Sequence, residues 1–530
     1  MFHITDTTWK AHWAVVLVAC VVLTIAAKRT LFSSKKLSLP VVKLAKGRTA
    51  QSLMEARERF PDTPFVFPLS PPWVILPHSL MNEMRSLPEE KLSFKKHTYE
   101  KFLGQYTSIG STEHPEAVNA IKLDLTRNIG KILGDLQDEV SFCIDKEIGP
   151  CKDWTEVPVY PSVVQVVAGL SARAFVGLPL CRDREWTQAT IDFTRDTIIL
   201  MHMNSFIPLP LRPYLSPLLP AFRKLAGYRR FAGNKLMPQV TQILNTYKEK
   251  LRGFKTMSEN EAMEQAEKNN FNLVHWMIGH FKNPERADPF ELGQQQMTAA
   301  FAAIHTTGMA ASHAIFDLAA YPMYIPTLRK EIEDVIAEEG YPDRQLRKTS
   351  MAKLRKLDSF IKESARMSPP TIVAMNRIVT ARDGITLSTG HFLPYRTVVG
   401  WGHPFFPGST SPSKHALLEN GQPPLDEFHP FRFAELRSQP GQENGNQFVT
   451  SDPNNINFGY GRNVCPGRFF ASNEVKVILV EVLRRYDIGL GPQGEGVEAG
   501  YQRPKIMEFG PNFMPDMKAK VWFRERKTAM

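Results

Sequence analysis

A mainly α-helical body with small β-sheets, preceded by a single membrane-crossing helix, is the fold class this sequence predicts. Three observations carry it. Apolar residues recur at helical spacing over long stretches, unbroken across residues 288–321; strand-like alternation is confined to short stretches such as 377–387; and residues 13–27 form an uninterrupted, mostly apolar run. No polar linker and no internal repeat divides the 530 residues, although length alone would suggest about three domains.

The apolar run is somewhat shorter than the roughly 20 residues that comfortably cross a bilayer. Lys10, His12 and Lys28 flank it and can snorkel to extend it. A cleaved signal peptide would carry positive charge before the run, whereas here Asp6 and Lys10 cancel and Lys28, Arg29, Lys35 and Lys36 follow. Positive residues after the run keep the rest of the chain cytosolic. The expected division is a short lumenal tail (1–12), a transmembrane anchor (13–27), a basic hinge containing Pro40 (28–44) and a body over 45–530, anchored in the endoplasmic reticulum.

Between residues 114 and 146, Val118, Ile121, Leu125, Ile129, Ile132 and Leu133 mark an amphipathic helix. Residues 206–220 hold five prolines among leucines and cannot form an ordinary helix. They are either a packed core loop or a surface that dips into lipid. Asp288 before Pro289 starts a helix that meets no breaker until Pro322, roughly 33 residues or about 50 Å. Its middle reads F-A-A-I-H-T-T-G over 301–308, which suits close packing; adjacent threonine hydroxyls compete for backbone carbonyls.

Residues 351–367 place Leu354, Leu357, Phe360 and Ile361 on one face of a helix, with Glu363 and Arg366 pointing the same way. Such a pair at a surface is worth under about 1 kcal/mol. After Pro369 and Pro370 the alternating stretch reads as strands joined near Asp383-Gly384. Over 467–486 a further helix turns Phe470, Val475, Ile478, Leu479, Val482 and Leu483 inward and leaves Lys476, Arg484 and Arg485 for solvent.

Five cysteines, few and odd in number, argue against a disulfide scaffold and for a reducing compartment. The formal charge of +11 is dispersed, without a basic stretch interleaved with aromatics. That excludes nucleic acid as the natural partner and favours a membrane surface or an acidic protein.

Residues 457–471 read N-F-G-Y-G-R-N-V-C-P-G-R-F-F-A. Cys465 stands between a glycine-containing loop and a helical run, with Pro466 at a favoured first helical position. At a helix N-terminus, unpaired N–H groups and the helix dipole favour a thiolate. Cys465 is therefore either a buried cysteine at a helix start or a metal ligand. Zinc is disfavoured, since no second Cys or His stands at ligand spacing. Gly459, Gly461 and Gly467 leave room for something large and flat, and Phe458 offers an aromatic face beside it. A haem held through a thiolate suits such a site.

The pattern F-G-x-G-x-x-x-C-P-G-R-F-F-A closely resembles the haem-binding loop of the cytochrome P-450 family, and C-P-G-R-F-F-A looks like its fungal members. The resemblance implies a cytochrome P-450 fold with one catalytic domain over 45–530. It implies haem b with Cys465 as axial ligand of the iron, and Phe458, Gly461 and Arg462 in the cofactor loop. The family usually has Arg or His two residues before the cysteine, where Asn463 stands here. Its W-x-x-x-R falls on Val118 and Lys122, so Lys122 either replaces a propionate-binding arginine or is solvated. Arg377 resembles a second propionate-binding arginine.

Ala302–Thr307 align with the family's Ala or Gly, Gly, any residue, Asp or Glu, Thr, Thr or Ser. Thr306 falls on the alcohol that helps deliver protons for O–O cleavage. His305 takes the acidic position, as a proton relay or as a structural histidine. Glu363 and Arg366 resemble the E-x-x-R element, completed by Arg432 of F-H-P-F-R-F, which would fix the loop presenting Cys465. Phe301, Thr371–Asn376 and Asn512–Met514 would line the substrate pocket.

Anchor, distal helix, E-x-x-R helix and cysteine loop follow the family's order. The resemblance therefore implies a haem-thiolate monooxygenase inserting one oxygen atom from O2 into a bulky apolar substrate of specialised metabolism, such as a terpenoid, a steroid-like molecule or a prenylated alkaloid. Electrons would come from NADPH through a flavoprotein reductase docked on the basic side of the last helix. The alternative is a thiolate-haem isomerase or dehydratase that uses neither O2 nor NADPH, against which Thr306 speaks.

Overall fold

The structure, a computed structural model, describes residues 38–45, 47–69, 71–205, 207, 211–252, 271–340, 343–404 and 423–527. The expected lumenal tail, anchor and most of the hinge lie outside the described residues, as do 206 and 208–210 of the proline-rich segment. Among the described residues no helix is long and apolar enough to cross a membrane.

The principal helices are α1 (Thr49–Arg59), α2 (Phe94–Lys101), α3 (Glu116–Ala120), α4 (Thr126–Glu147), α5 (Val159–Phe175), α6 (Arg184–Ser205), α7 (Pro220–Arg252), α8 (Pro289–Ala320), α9 (Ile325–Glu339), α10 (Arg355–Met367) and α11 (Arg468–Arg485). The strands are β1 (Phe65–Phe67), β2 (Trp73–Ile75), β3 (Leu92–Ser93), β4 (Thr155–Pro158), β5 (Val373–Val379), β6 (Ile385–Thr386), β7 (Phe392–Leu393), β8 (Val398–Gly402), β9 (Tyr486–Gly489), β10 (Ile506–Phe509), β11 (Asn512–Pro515) and β12 (Lys520–Glu525). They form one five-stranded sheet in the order β1-β2-β8-β5-β3, a three-stranded sheet β4-β12-β9, and two hairpin pairs, β6-β7 and β10-β11. The molecule is mainly helical with small sheets.

Everything is arranged around α8. Asp288 caps it, its carboxylate accepting from the Phe290 N–H (3.2 Å), and Pro289 occupies the first turn, where a missing N–H costs nothing. Every residue from Ala311 to Ala320 is buried, so this end is enclosed on all sides, as expected of a helix running through a core. It packs against α5, α6, α7, α10 and α11.

Four local expectations need correction. The pattern over 351–367 is two helices: Lys348–Lys353 stops at the non-helical Leu354, and α10 begins at Arg355. The restart is capped from another element, since the Glu331 carboxylate of α9 accepts from the Lys356 and Leu357 N–H groups at 2.7 and 2.9 Å. The strands on either side of Asp383-Gly384 do not pair with each other; β5 pairs with β8 and β3, while β6 pairs with β7. The helix after the cysteine begins at Arg468 with Gly467 as its cap, which leaves Pro466 outside it. Finally, Lys476 is buried, its Nζ bonded to Asp358 Oδ1 at 2.7 Å and to the Met351 carbonyl at 3.1 Å.

Candidate active site

The Cys465 loop is closed by its own backbone. The Cys465 N–H donates to the Phe458 carbonyl (2.8 Å), and the Ser451 hydroxyl donates to the Gly459 carbonyl. Gly459 and Gly461 take φ of +72° and +81°, the left-handed region where a Cβ is strained. Phe458 stands edge-on to Phe448, with ring centroids 5.2 Å apart. Burial pushes the Cys465 thiol above its ordinary value, while the Gly467 and Arg468 N–H groups and the Arg468 charge pull the other way. Those N–H groups would stabilise an anionic sulfur, and a bound cation would complete the deprotonation.

The surroundings fit a flat group with an anionic edge. A Cβ built on Gly467 would meet only Ile121 Cγ2, at 3.8 Å, so the backbone there is open to close approach. Ile121 opens a π-turn (Ile121–Leu125) between α3 and α4; such turns interrupt helices most often at functional sites. Lys122 and Val118 are exposed on this stretch. Arg377 is buried on β5; its Nη1 donates to the Met84 carbonyl (3.0 Å), and its Nε has no partner among the described residues. Burial lowers its affinity for its proton, Glu89 opposes this, and the charge of Arg462 adds to it. A buried guanidinium with a spare donor and a second cation in reach is suited to a carboxylate. Asn463 donates to Glu89 Oε1 (3.2 Å) and is thereby engaged away from such a role. Among the described residues no cluster of three or more His, Cys, Asp or Glu could hold a metal.

The centre of α8 is open where its far end is closed. Ala302 and Thr306 are exposed although the helix runs through the core. Thr306 Oγ1 donates to the Ala302 carbonyl at 2.7 Å, leaving its oxygen free to accept. His305 turns aside to Tyr160 at the start of α5, with Nδ1 2.9 Å from the phenol oxygen. Phe301 meets Phe102 edge-on at 5.1 Å. From Leu292 to Phe316 the helix carries no Asp, Glu, Lys or Arg. The segment around Thr371 is stitched to the β10-β11 hairpin, the Ile372 N–H and the Thr371 hydroxyl donating to the Pro511 carbonyl at 2.8 and 2.9 Å.

Glu363, Arg366 and Arg432 come together in the interior. Arg366 holds the carboxylate with two parallel bonds of 2.8 Å, and Arg432 Nε approaches Oε1 at 3.4 Å. The guanidinium of Arg366 also donates to the Leu425 carbonyl (2.7 Å), and that of Arg432 to the Pro423 and Pro424 carbonyls (2.5 and 3.0 Å). One buried carboxylate therefore fastens α10 to the irregular segment leading toward the cysteine loop.

Two buried networks had no signal in the sequence. Asp358 binds Lys476, accepts from the Phe448 N–H (2.9 Å) and lies 3.5 Å from Arg437, joining α10 to α11. Asp317, near the end of α8, accepts from Ser364 (2.5 Å) and from Arg503, whose guanidinium also donates to Ser368 (3.1 Å). The partners are too far apart in the chain for any spacing to reveal them. The basic side of α11 is also largely paired: Arg484 faces Glu333 (3.5 Å), and Arg485 faces Asp145 and Glu481.

A sequence profile described as Cytochrome P450 matches residues 207–401 and 423–502. The chain is 37% identical to cytochrome P450 monooxygenase ascG of Acremonium egyptiacum, over 93% of this chain and 92% of that protein. It is 39% identical to cytochrome P450 monooxygenase BOA7 of Botryotinia fuckeliana, over 93% and 90% respectively. A third relative, cytochrome P450 monooxygenase BOA4 of the same organism, is 35% identical over 99% of this chain and its own full length.

Proposed function

Because the chain belongs to the cytochrome P450 family, we propose that it is a membrane-anchored haem-thiolate monooxygenase that inserts one oxygen atom from O2 into a bulky apolar substrate of fungal specialised metabolism. The observation that carries this reading is Cys465, held by backbone N–H groups in a loop where Gly467 leaves the backbone open to close approach. Cys465 would ligate the iron; Phe458, Gly461 and Gly467 would border the ring, and Arg377 with Arg462 would meet its carboxylates. Lys122, exposed on the turn that Ile121 opens, would be a further cation for them. When bound, the haem and its thiolate supply the redox chemistry that activates O2.

The rest falls to the chain's own residues. Ala302 and Ala303 leave space at the middle of α8. Thr306 keeps a hydroxyl proton at the open point of the helix and can accept one proton as it gives up another. His305, held neutral by burial, can carry a proton on one ring nitrogen. The uncharged length of α8 and the Phe102–Phe301 wall exclude water and favour an apolar, uncharged substrate such as a terpenoid, a steroid-like molecule or a prenylated alkaloid. Electrons are proposed to come from NADPH through a flavoprotein reductase. An open cleft of about 320 Å³ beside the cysteine loop, lined in part by Thr450, Tyr460, Arg468 and Phe469, is a suitable docking place. Anchoring of residues 13–27 in the endoplasmic reticulum belongs to the same proposal.

The first test is spectroscopic. The ferrous protein treated with carbon monoxide is expected to show the long-wavelength absorption of a sulfur-ligated porphyrin, and Cys465→Ala to lose it. Retention of that band in the variant would remove Cys465 from the site. Microsomes containing the protein and a reductase should then add single oxygen atoms to terpenoid or alkaloid intermediates only with NADPH and O2. Turnover without either would point instead to an isomerase or dehydratase.

A further inference from the structure

Lys101, the last residue of α2, holds its ammonium between two aromatic rings. Nζ lies 5.0 Å from the ring centre of Phe102 and 5.8 Å from that of Trp73 on β2. The Phe102 ring meets Phe301 of α8, and Trp73 shares an apolar cluster with Ile372, Val373 and Phe513. Those are the stretches proposed to line the substrate pocket, so the ammonium stands where its two walls come together. The chain that follows holds this place. The Phe102 carbonyl accepts from Thr107 (2.8 Å), whose own carbonyl accepts from Gln294 (2.7 Å) and Thr298 (3.0 Å) of α8.

The charge on Lys101 has no counterpart. Among the described residues Nζ forms no hydrogen bond and no ion pair, and no carboxylate counters the burial that pulls the ammonium down from its ordinary 10.5 to about 8. Glu100, the neighbouring acid, is engaged by Arg396 (2.8 Å) and Lys96 (3.4 Å). His97, one turn back, is kept neutral by its burial and by the Lys101 charge. Yet the side chain is not sealed: although protein surrounds it, part of its surface stays accessible, as at Ala302 and Thr306. The aromatic faces offset some of the lost hydration, but a lysine's three N–H donors still lack an oxygen acceptor. A desolvated cation without one is costly, and a ligand anion would relieve that cost.

We propose that Lys101 is a substrate-binding residue that takes a carboxylate at the end of the substrate away from the reacting carbon, so that the substrate is an apolar carboxylic acid. The separation follows from α8, on which Phe301 lies five residues before Thr306, about 7.5 Å along the axis at the usual helical rise. The inference rests on the reading of the chain as a haem-thiolate monooxygenase with its pocket beside α8, and it narrows that reading in one respect. The uncharged wall of α8 faces the apolar body, and charge is confined to the end that Lys101 holds.

The test uses ligands that fix one end on the iron and vary the other. A series of ω-imidazolylalkanoic acids of increasing chain length, each paired with its methyl ester, is titrated into the haem-loaded protein. Binding is read from the red shift of the Soret band that nitrogen ligation of the iron produces. At one chain length or more the acid is expected to bind roughly tenfold more tightly than its ester, the weight of a hydrogen bond to a charged group. Lys101→Met keeps the apolar stem and should lose that preference with its ferrous carbon-monoxide band intact, while Lys101→Arg should retain most of it. Should Lys101→Met hold no haem, Lys101→Gln, neutral and still polar, serves the same comparison. Acid and ester binding alike at every length in the parent would overturn the proposal whether or not any variant folds, and so would a preference that survives in the neutral variant. A parent whose Soret band does not move with imidazole itself would overturn the underlying reading, and the proposal with it.

Discussion

Glu474 is wholly buried on α11, where its Oε1 accepts from the Ser171 hydroxyl (2.8 Å) and its Oε2 has no partner among the described residues. Burial pushes this carboxyl from its ordinary 4.5 up to about 8. The folded protein therefore keeps it protonated at neutral pH, whereas the unfolded chain ionises it above about 4.5. Across that window the folded state binds one more proton than the unfolded state. Its stabilising contribution is complete below the lower value and is lost as pH rises through the upper one, by up to about 1.4 kcal/mol per pH unit. Thermal melting should thus fall from acid to neutral pH more steeply in the parent than in Glu474→Gln, which cannot ionise. Equal slopes would place the dependence elsewhere. Thr306 makes a second prediction at this scale. Thr306→Ala should leave NADPH oxidation running but divert it to peroxide, with product formation down roughly 10²-fold, the usual weight of a positioned proton donor; undiminished coupling would remove Thr306 from the proton path. Cys465 and Thr306 could be picked out from the sequence because each belongs to a local pattern. Glu474 could not, because the environment that neutralises it comes from α5, remote in the chain.

Among the elements, α10 shows how a local pattern acquires a different energy in the interior. Glu363 and Arg366 on a surface would contribute under about 1 kcal/mol, yet here they are buried with Arg432, and the guanidinium groups gather carbonyls from Pro423 to Leu425. Removing one partner of a buried pair leaves an uncompensated charge and costs about 3–5 kcal/mol. Arg432→Met is therefore expected to unfold at markedly lower denaturant and to hold less haem per chain, measured from the porphyrin absorbance against total protein. A variant with full stability and full haem content would reduce the triad to an incidental contact. Helical periodicity made α4 legible, since one face of it meets the core, while α8 was legible from its cap and the unbroken run to Pro322, being buried all round toward its end. It misread the break at Leu354 because the cap that restarts the helix is Glu331 of a neighbouring helix. It misread Lys476 because a lysine on a helix is ordinarily solvated, and only the fold brings Asp358 beneath it.

For the whole molecule, the proposed membrane attachment gains a second candidate surface in the folded body. Tyr214, Leu215 and Leu218 are exposed, and Ile199 and Met203 of α6 are exposed nearby. The two stretches are tied where Ser216 donates to Asn204 (2.8 Å). An apolar patch of this kind marks an interaction surface more often than an ordinary exterior, and lipid is the occupant proposed for it here alongside the proposed N-terminal anchor. A chain lacking residues 1–37 should then still sediment with neutral phosphatidylcholine vesicles, and binding should survive raised salt because apolar burial is unscreened. Burying a leucine contributes roughly 1.5–3 kcal/mol, so Leu218→Ser in the shortened chain should weaken partitioning about tenfold or more. Binding that disappears in salt would assign the contact to the dispersed positive charge instead. A shortened chain found wholly in the supernatant would leave the N-terminal segment as the sole attachment.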